Sequence, residues 1–207
     1  MNAPDTNLAK CLTRSEVIDA LWPDRSARDT SVWAVLDCAR DDRIYPWLVN
    51  SRLAYRCLYA GKLHPALERV APHLIELLPG SDFTARLIDA GWGRSWGIFI
   101  RIGDPSNLRH HLRGFLRVQD ESGRKLLFRY YDPRVLRSYL PTCTVAELNQ
   151  LFGPIGRYLV EDEYGAGLIE YAFDRTVGTS QATTAAVDKS QSNRHTKIRI
   201  FLHPRAV

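Results

Sequence analysis

The residues best suited to chemistry fall in a few short stretches. In "FRYYDPRVLRSYLP", Phe128 to Pro141, a β-preferring run meets Asp132-Pro133-Arg134, and an apolar period of a different kind (Val135, Leu136, Tyr139, Leu140) takes over. An acid, a proline and a base at such a junction can serve as a reacting site. They serve equally well as a corner, in which Asp132 caps a helix, Pro133 presets φ, and Arg134 pairs with a carboxylate or carbonyl. Catalysis would also need a base or nucleophile at a recognisable spacing, and none is present, so a corner is the expectation. Asp37 closes an apolar run just before a loop, a position where α/β enzymes place carboxylates. Asp41, Asp42 and Arg43 follow, and capping of a helix that begins near Asp42 accounts for these carboxylates without metal or substrate. One enzymatic reading stays open: a small hydrolase or nuclease using Asp37, Asp132 and Arg134, which requires those side chains to converge within hydrogen-bond reach.

The other motifs point away from catalysis. Gly91-Trp92-Gly93-Arg94-Ser95-Trp96-Gly97 lacks the GK[ST] ending and the G-x-G-x-x-G spacing of phosphate-cradling loops, and Ser95 has no G-x-S-x-G frame. Its tryptophans are expected to pack a tight approach to the next strand, either with both rings buried or with one ring exposed for a partner. His110 and His111 are adjacent, so on a helix they diverge by about 100° and cannot share a metal; a surface pair is expected. The four cysteines (Cys11, Cys38, Cys57, Cys143) are widely spaced, with neither C-x-x-C nor a histidine at ligand spacing. Reduced thiols are expected, Cys38 and Cys57 as small buried side chains. No metal or cofactor is expected.

These residues need elements to hold them. Thr13 with Glu16 forms a capping-box pattern ahead of Val17, Ile18, Leu21 and Trp22, which predicts a helix ended by Pro23. "SVWAVLD" predicts a strand, "RDDRIYPWLVNS" a short helix, and "AYRCLY" and "PHLIELL" further strands around a loop or single turn. Ser81 or Asp82 caps a helix over Phe83 to Ala90, and "WGIFIRI" follows as a buried strand. Asp104 and Pro105 suit the N-cap and first position of the next helix, whose apolar face is Leu108, Leu112, Phe115 and Leu116. On that helix Arg109, Arg113 and Arg117 fall at i, i+4, i+8 as a basic stripe, which reads first as a solvated face and otherwise as a contact for an acidic protein groove. "KLLFRYY" predicts a strand, Thr144 with Glu147 one more helix, and "GRYLVED" and "GLIEYAF" a hairpin. The terminal "TKIRIFLHP", with Ile198, Ile200 and Leu202, reads as a strand for this sheet or for a partner's sheet edge. The fold class expected is α/β (α+β), a mixed β-sheet flanked by helices in a single main domain. The organisation is a helical segment over 1–30, the main domain over 31–162, the terminal strand of a hairpin over 163–173, a polar mobile linker over 174–195, and a strand-like tail over 196–207.

The chain has 207 residues, 45% hydrophobic and 25% charged, which fits one soluble core with appendages. Its start lacks the basic and apolar regions of a secretion signal, and no apolar run approaches bilayer length, so a cytoplasmic, non-membrane protein is expected. The net charge of +5 is local: ten Lys/Arg and four Asp/Glu between Arg94 and Arg137 give +6, and the remainder gives −1. Charge alone does not choose among nucleic acid, anionic lipid and acidic protein as partners, although nucleic acid is the weakest of the readings.

The wording of the chain adds to this. "VLDCARDDRIYPWL", "YRCLYAGKL", "APHLIEL", "FTARLIDAGWGRSWGIFI" and "LRHHLRGFLRVQDESGRKLLFRYYDPRVLRSYLPTCTVAELNQLFGPIGRYLVED", in this order, resemble the effector chaperone, or adaptor, family of bacterial type VI secretion, first catalogued as a domain of unknown function. The resemblance spans Val32 to Asp162, with WGRSWG and YYDPRVLRSYLPT its most specific blocks. It implies a non-enzymatic cytoplasmic protein that holds a secreted toxic effector and helps load it onto the VgrG spike, with or without a PAAR-type cap. It also carries over Asp37, Arg43, Trp92, Gly93, Arg94, Trp96, Gly97, Asp132, Pro133 and Arg134 as family-motif residues, structural or binding, without assigning their individual roles. The expected partner contacts are Arg109, Arg113, Arg117, Ile198, Ile200 and Leu202.

Overall fold

The computed structural model describes residues 11–24, 26, 29–119, 122–174 and 198–203, the last by backbone alone. Except for Asp174, the linker expected over 174–195 lies outside the described residues. The chain enters with α1 (Arg14–Leu21), where the Thr13 hydroxyl accepts from the Glu16 N–H and the Glu16 carboxylate accepts from the Thr13 N–H. Then come β1 (Ser31–Asp37), α2 (Ile44–Asn50), β2 (Tyr55–Cys57), the single-turn helix α3 (Pro65–Glu68), β3 (Pro72–Leu77), α4 (Asp82–Gly91) and β4 (Gly97–Ile102). The second half holds α5 (Leu108–Gly114), β5 (Arg117–Gln119), β6 (Lys125–Leu127), α6 (Pro133–Tyr139), α7 (Val145–Phe152), β7 (Arg157–Glu161), β8 (Leu168–Phe173) and β9 (Ile198–His203).

Helices cover both faces of the main sheet, and the alternation along β1 shows how. Val32, Ala34 and Leu36 enter a core with Val17 and Leu21 of α1, Ile44 and Leu48 of α2, and Leu87 and Ile88 of α4. Val35 belongs to the opposite core, built from Leu112 of α5, Leu136 of α6, and Leu148 and Phe152 of α7. A strand covered on both sides has no solvent face to keep polar, and so "SVWAVLD" and "WGIFIRI" are nearly unbroken apolar runs. Each fully buried large aliphatic side chain there stabilises the fold by about 1.5–3 kcal/mol relative to exposure.

The α+β class and the flanking helices are as expected. The sheet runs β2-β3-β1-β4-β7-β8-β9, seven strands, and every pairing is antiparallel where a mixed sheet was expected. The helical crossovers from β1 to β2 and from β3 to β4 do return parallel strands. Each, however, skips one position, and the antiparallel strand in between fills it.

Three local expectations are corrected. Asp104 does not cap α5: its carboxylate accepts from the Ser106 N–H at 2.9 Å and hydroxyl at 3.0 Å, and the helix starts later, after Asn107. "KLLFRYY" is a strand only over Lys125–Leu127, in a separate two-stranded sheet with β5. Tyr130 and Tyr131 then turn into the core, the Tyr130 hydroxyl donating to the Leu112 carbonyl at 2.9 Å. His111 is no surface residue, for its Nε2–H donates to the Leu151 carbonyl at 2.8 Å and its ring meets Phe115 edge-on; His110 is exposed.

The closest approach in the sheet lies at Gly97, where a Cβ would stand 2.2 Å from the Val35 carbonyl oxygen. Backbone on a central strand yields less readily than a side chain would. Gly97→Ala is expected to lower the unfolding free energy by more than about 3 kcal/mol in denaturant titrations; a loss below about 1 kcal/mol would show that the strands part freely.

Candidate functional site

β1 and β7 run in the same direction, so Asp37 and Glu161 end at the same edge of the sheet, where the loop Trp92–Trp96 enters β4. Asp37 is 1% exposed and Asp132 is 2% exposed, and a carboxylate buried to that degree requires a partner. Arg129 supplies one: its Nη2 bonds to Asp37 Oδ2 and lies 3.9 Å from Asp132 Oδ2. Arg134 grips Asp132 with two bonds, Nε to Oδ1 at 3.0 Å and Nη2 to Oδ2 at 2.6 Å. Asp132 also caps α6, its Oδ1 accepting from the Arg134 N–H at 3.0 Å, with Pro133 in the first turn where its missing N–H costs nothing. Burial pushes the Asp132 carboxyl up, but the bonds to Arg134, with the Arg134 and Arg129 charges, outweigh it and hold the group below the usual carboxylate range.

The structure therefore brings Asp37, Asp132 and Arg134 together through Arg129. Such a cluster is poorly set for proton transfer near neutral pH, because Asp132 stays ionised and both its oxygens are engaged by arginine. Among the described residues no group of three or more His, Cys, Asp and Glu side chains is arranged to hold a metal ion.

Beside this corner, Glu161 organises the tryptophan loop. Its carboxylate accepts from the N–H groups of Gly93 at 2.6 Å and Ser95 at 2.7 Å, and from the Ser95 hydroxyl at 3.2 Å. Gly93 and Ser95 have φ of +77° and +57°, and those left-handed turns aim the two alternate N–H groups at one anion, while the Arg94 N–H between them donates to the Gly91 carbonyl. Burial raises the Glu161 carboxyl above its ordinary value, and the donors only partly offset this. The Trp92 indole N–H donates to the Gly165 carbonyl at 2.8 Å, and the Asp37 N–H donates to the Trp96 carbonyl at 2.8 Å. Arg137 of α6 closes the arrangement by donating to the Glu161 carbonyl at 2.7 Å.

Both loop tryptophans are buried, Trp92 at 9% and Trp96 at 3% exposure, so no ring is left for a partner. The reason is their packing, Trp92 against Phe99 and Trp96 against Trp47. Arg43 covers that second pair, its guanidinium 5.1 Å from the Trp96 ring centre, while Asp41 grips it with two bonds. The hydrogen bond from Arg43 brings Asp41 down to about 2. Asp37 and Asp42 do not cap α2: Arg43 holds the N-cap position without a side-chain cap bond, and Asp41 accepts from its N–H. Arg94 is exposed, and its carbonyl accepts from Arg40.

The basic stripe is broken. Arg109 and Arg113 lie on α5, which ends at Gly114, whereas Arg117 sits on β5. Arg109 is partly buried, with its Nε donating to the Cys57 carbonyl at 3.0 Å. Ile198, Ile200 and Leu202 pair by backbone with Phe173, Tyr171 and Ile169 of the chain's own β8. The four cysteines are free thiols. Burial pushes the Cys38 thiol far up, and its sulfur lies 3.5 Å from Nδ1 of the buried His73.

A shallow groove of about 560 Å³ opens beside the corner, walled by Phe128, Val135, Tyr139 and Thr142 and including the Asp132–Arg134 pair in its lining. Sequence reasoning missed Arg129, Arg137 and Glu161. Arg129 carried one local signal, a cation three residues before the capping acid. The other two act across long separations and carried none.

A family model described as a domain of unknown function (DUF4123) matches residues 32–150. The matched span contains the tryptophan loop and the ionic corner, while Glu161 lies beyond it. Comparison with curated proteins gave no match, and comparison with solved structures gave none.

Arg129→Met leaves Asp37 buried without its counter-charge. The expected cost is about 2 kcal/mol in denaturant unfolding, less than for a fully enclosed pair because the Arg129 side chain is 42% exposed; an unchanged midpoint would contradict the pairing. For Asp132 the folded-state pKa is depressed, so its contribution is complete above the ordinary carboxylate pKa of about 3.9 and is lost as pH falls through the lower folded value. Asp132→Asn is accordingly expected to flatten the acid limb of stability against pH below about 4, measured by melting temperature across that range.

Proposed function

This chain belongs to the family of the domain of unknown function (DUF4123), and we propose that it is an adaptor of bacterial type VI secretion. It binds a toxic effector in the cytoplasm and helps to load it onto the VgrG spike, with or without a PAAR-type cap. The observation that supports a binding role is the saturation of the buried carboxylates: the motif residues Asp37 and Asp132, and Glu161 beside them, are each engaged by groups of the chain itself. Motif residues spent on holding one end of the sheet suit a scaffold that presents surfaces, and the ordered sequence blocks resembling the adaptor family support effector and spike as the partners. No helix among the described residues is long and apolar enough to cross a membrane.

A second reading, a small hydrolase or nuclease, is favoured by one observation, the convergence of Asp37, Asp132 and Arg134 beside a groove. It requires Asp132 to exchange a proton or engage a substrate, and that would mean displacing Arg134.

Two measurements separate these readings. The tagged chain, expressed with candidate effectors encoded beside its gene, is expected to retain one of them through gel filtration, and a clean deletion is expected to abolish secretion of that effector alone. Secretion unchanged by the deletion would overturn the adaptor reading. Turnover of a phosphodiester or ester by the purified chain, lost in a folded Asp132→Asn variant, would establish the enzyme in its place.

A further inference from the structure

The β5–β6 ribbon is a part of the described fold that the core does not explain. It is a separate two-stranded sheet, with all six of its residues exposed. A lone two-stranded ribbon is marginal in water unless something packs on it, yet here Val118, Leu126 and Leu127 stand 38%, 40% and 51% exposed. The register pairs Val118 with Leu126 and Arg117 with Leu127. Opposed residues share a face, so one face carries an apolar pair and the other carries Arg117, Lys125 and Leu127. The ladder continues through the Phe128 N–H, which donates to the Leu116 carbonyl at 3.0 Å, and Phe128 then forms a wall of the groove with Tyr139. An exposed apolar ribbon thus runs directly into a partly apolar groove.

We infer that the β5–β6 ribbon and the adjoining groove are the docking surface for an extended, acidic and apolar segment of a partner polypeptide. Charge supports this occupant. The segment 117–127 carries Arg117, Arg124 and Lys125 against Asp120 and Glu121, within the stretch Arg94 to Arg137 that nets +6, and Arg134, half-exposed although paired with Asp132, stands in the groove lining. A second copy of the chain would oppose Arg117 and Lys125 to themselves, which like-charge repulsion disfavours. Polypeptide is favoured over nucleic acid or lipid because two strands that, among the described residues, pair only with each other leave outer backbone donors and acceptors that an extended chain satisfies by strand addition, while its apolar side chains cover Leu126 and Phe128. The surface rests on the adaptor reading for its biological role, with the effector supplying the segment.

The test uses the whole chain and a defined probe, a short capped peptide in which valine alternates with glutamate, followed by amide NMR shifts. Saturable shifts are expected at Arg117–Gln119 and Lys125–Phe128, weakened at least about tenfold by Leu126→Asp and by the double change Arg117→Glu with Lys125→Glu. These side chains are exposed, so melting temperatures are expected to stay unchanged. The inference is overturned by absence of binding, by equal binding of a valine–lysine peptide, by an oligonucleotide or phosphatidylglycerol vesicle occupying the same residues, or by self-association through them. Co-purification keeps the two levels apart. An effector retained equally by wild type and Leu126→Asp defeats the surface alone, whereas a wild-type chain that binds the peptide and no effector defeats the adaptor reading alone.

Discussion

Three carboxylates buried at one end of a β-sheet are the constraint around which the motif residues are arranged. Taking an ionised carboxylate out of water costs several kcal/mol unless donors or cations replace the lost hydration. Each of the three is matched differently. Asp132 has a two-bond arginine clamp and a helix N-terminus, Asp37 has the shared Arg129, and Glu161 has the convergent N–H groups of the tryptophan loop. The first two solutions tie α6 to the end of β1, and the third ties the loop before β4 to the end of β7. The helical layer, the loop and the sheet edge are therefore fixed together by polar contacts over a core that is otherwise apolar.

The tight loop follows from that arrangement. Left-handed turns at Gly93 and Ser95 aim N–H groups at Glu161, and the absence of a side chain at Gly97 lets β4 lie against β1. Trp92 and Trp96 fill the space that results. An interior of this kind uses its conspicuous residues on itself, so the proposed binding role falls to less conspicuous ones. The ribbon leaves Val118, Leu126 and Leu127 exposed, and the touching rings of Phe128 and Tyr139 form one wall of the groove beside it.

Local rules were readable from local sequence. Thr13 with Glu16 and Thr144 with Glu147 both form the capping boxes that their spacing predicts, Ser81 caps α4, and Asp132 caps α6 with Pro133 in its first turn. Each involves residues within a few positions of one another, where chain geometry leaves few alternatives. The same logic failed where a nearer competitor took the group. Asp104 bonded Ser106 instead of opening a helix, and α5 ended at Gly114, which removed Arg117 from the basic stripe.

The sequence by itself determined the class of fold, the order of most elements, the corner at Asp132 and a basic middle segment, because propensity, periodicity and capping act over a few residues. Only the tertiary structure decided which carboxylate met which donor. Glu161 reaches Ser95 across 66 positions and Arg129 reaches Asp37 across 92. It also decided that both tryptophans are buried and that the crossovers skip a position to leave an antiparallel sheet. Those outcomes depend on which strands become neighbours, and strand order is set by the packing of both cores at once, a property that no single stretch of the chain contains.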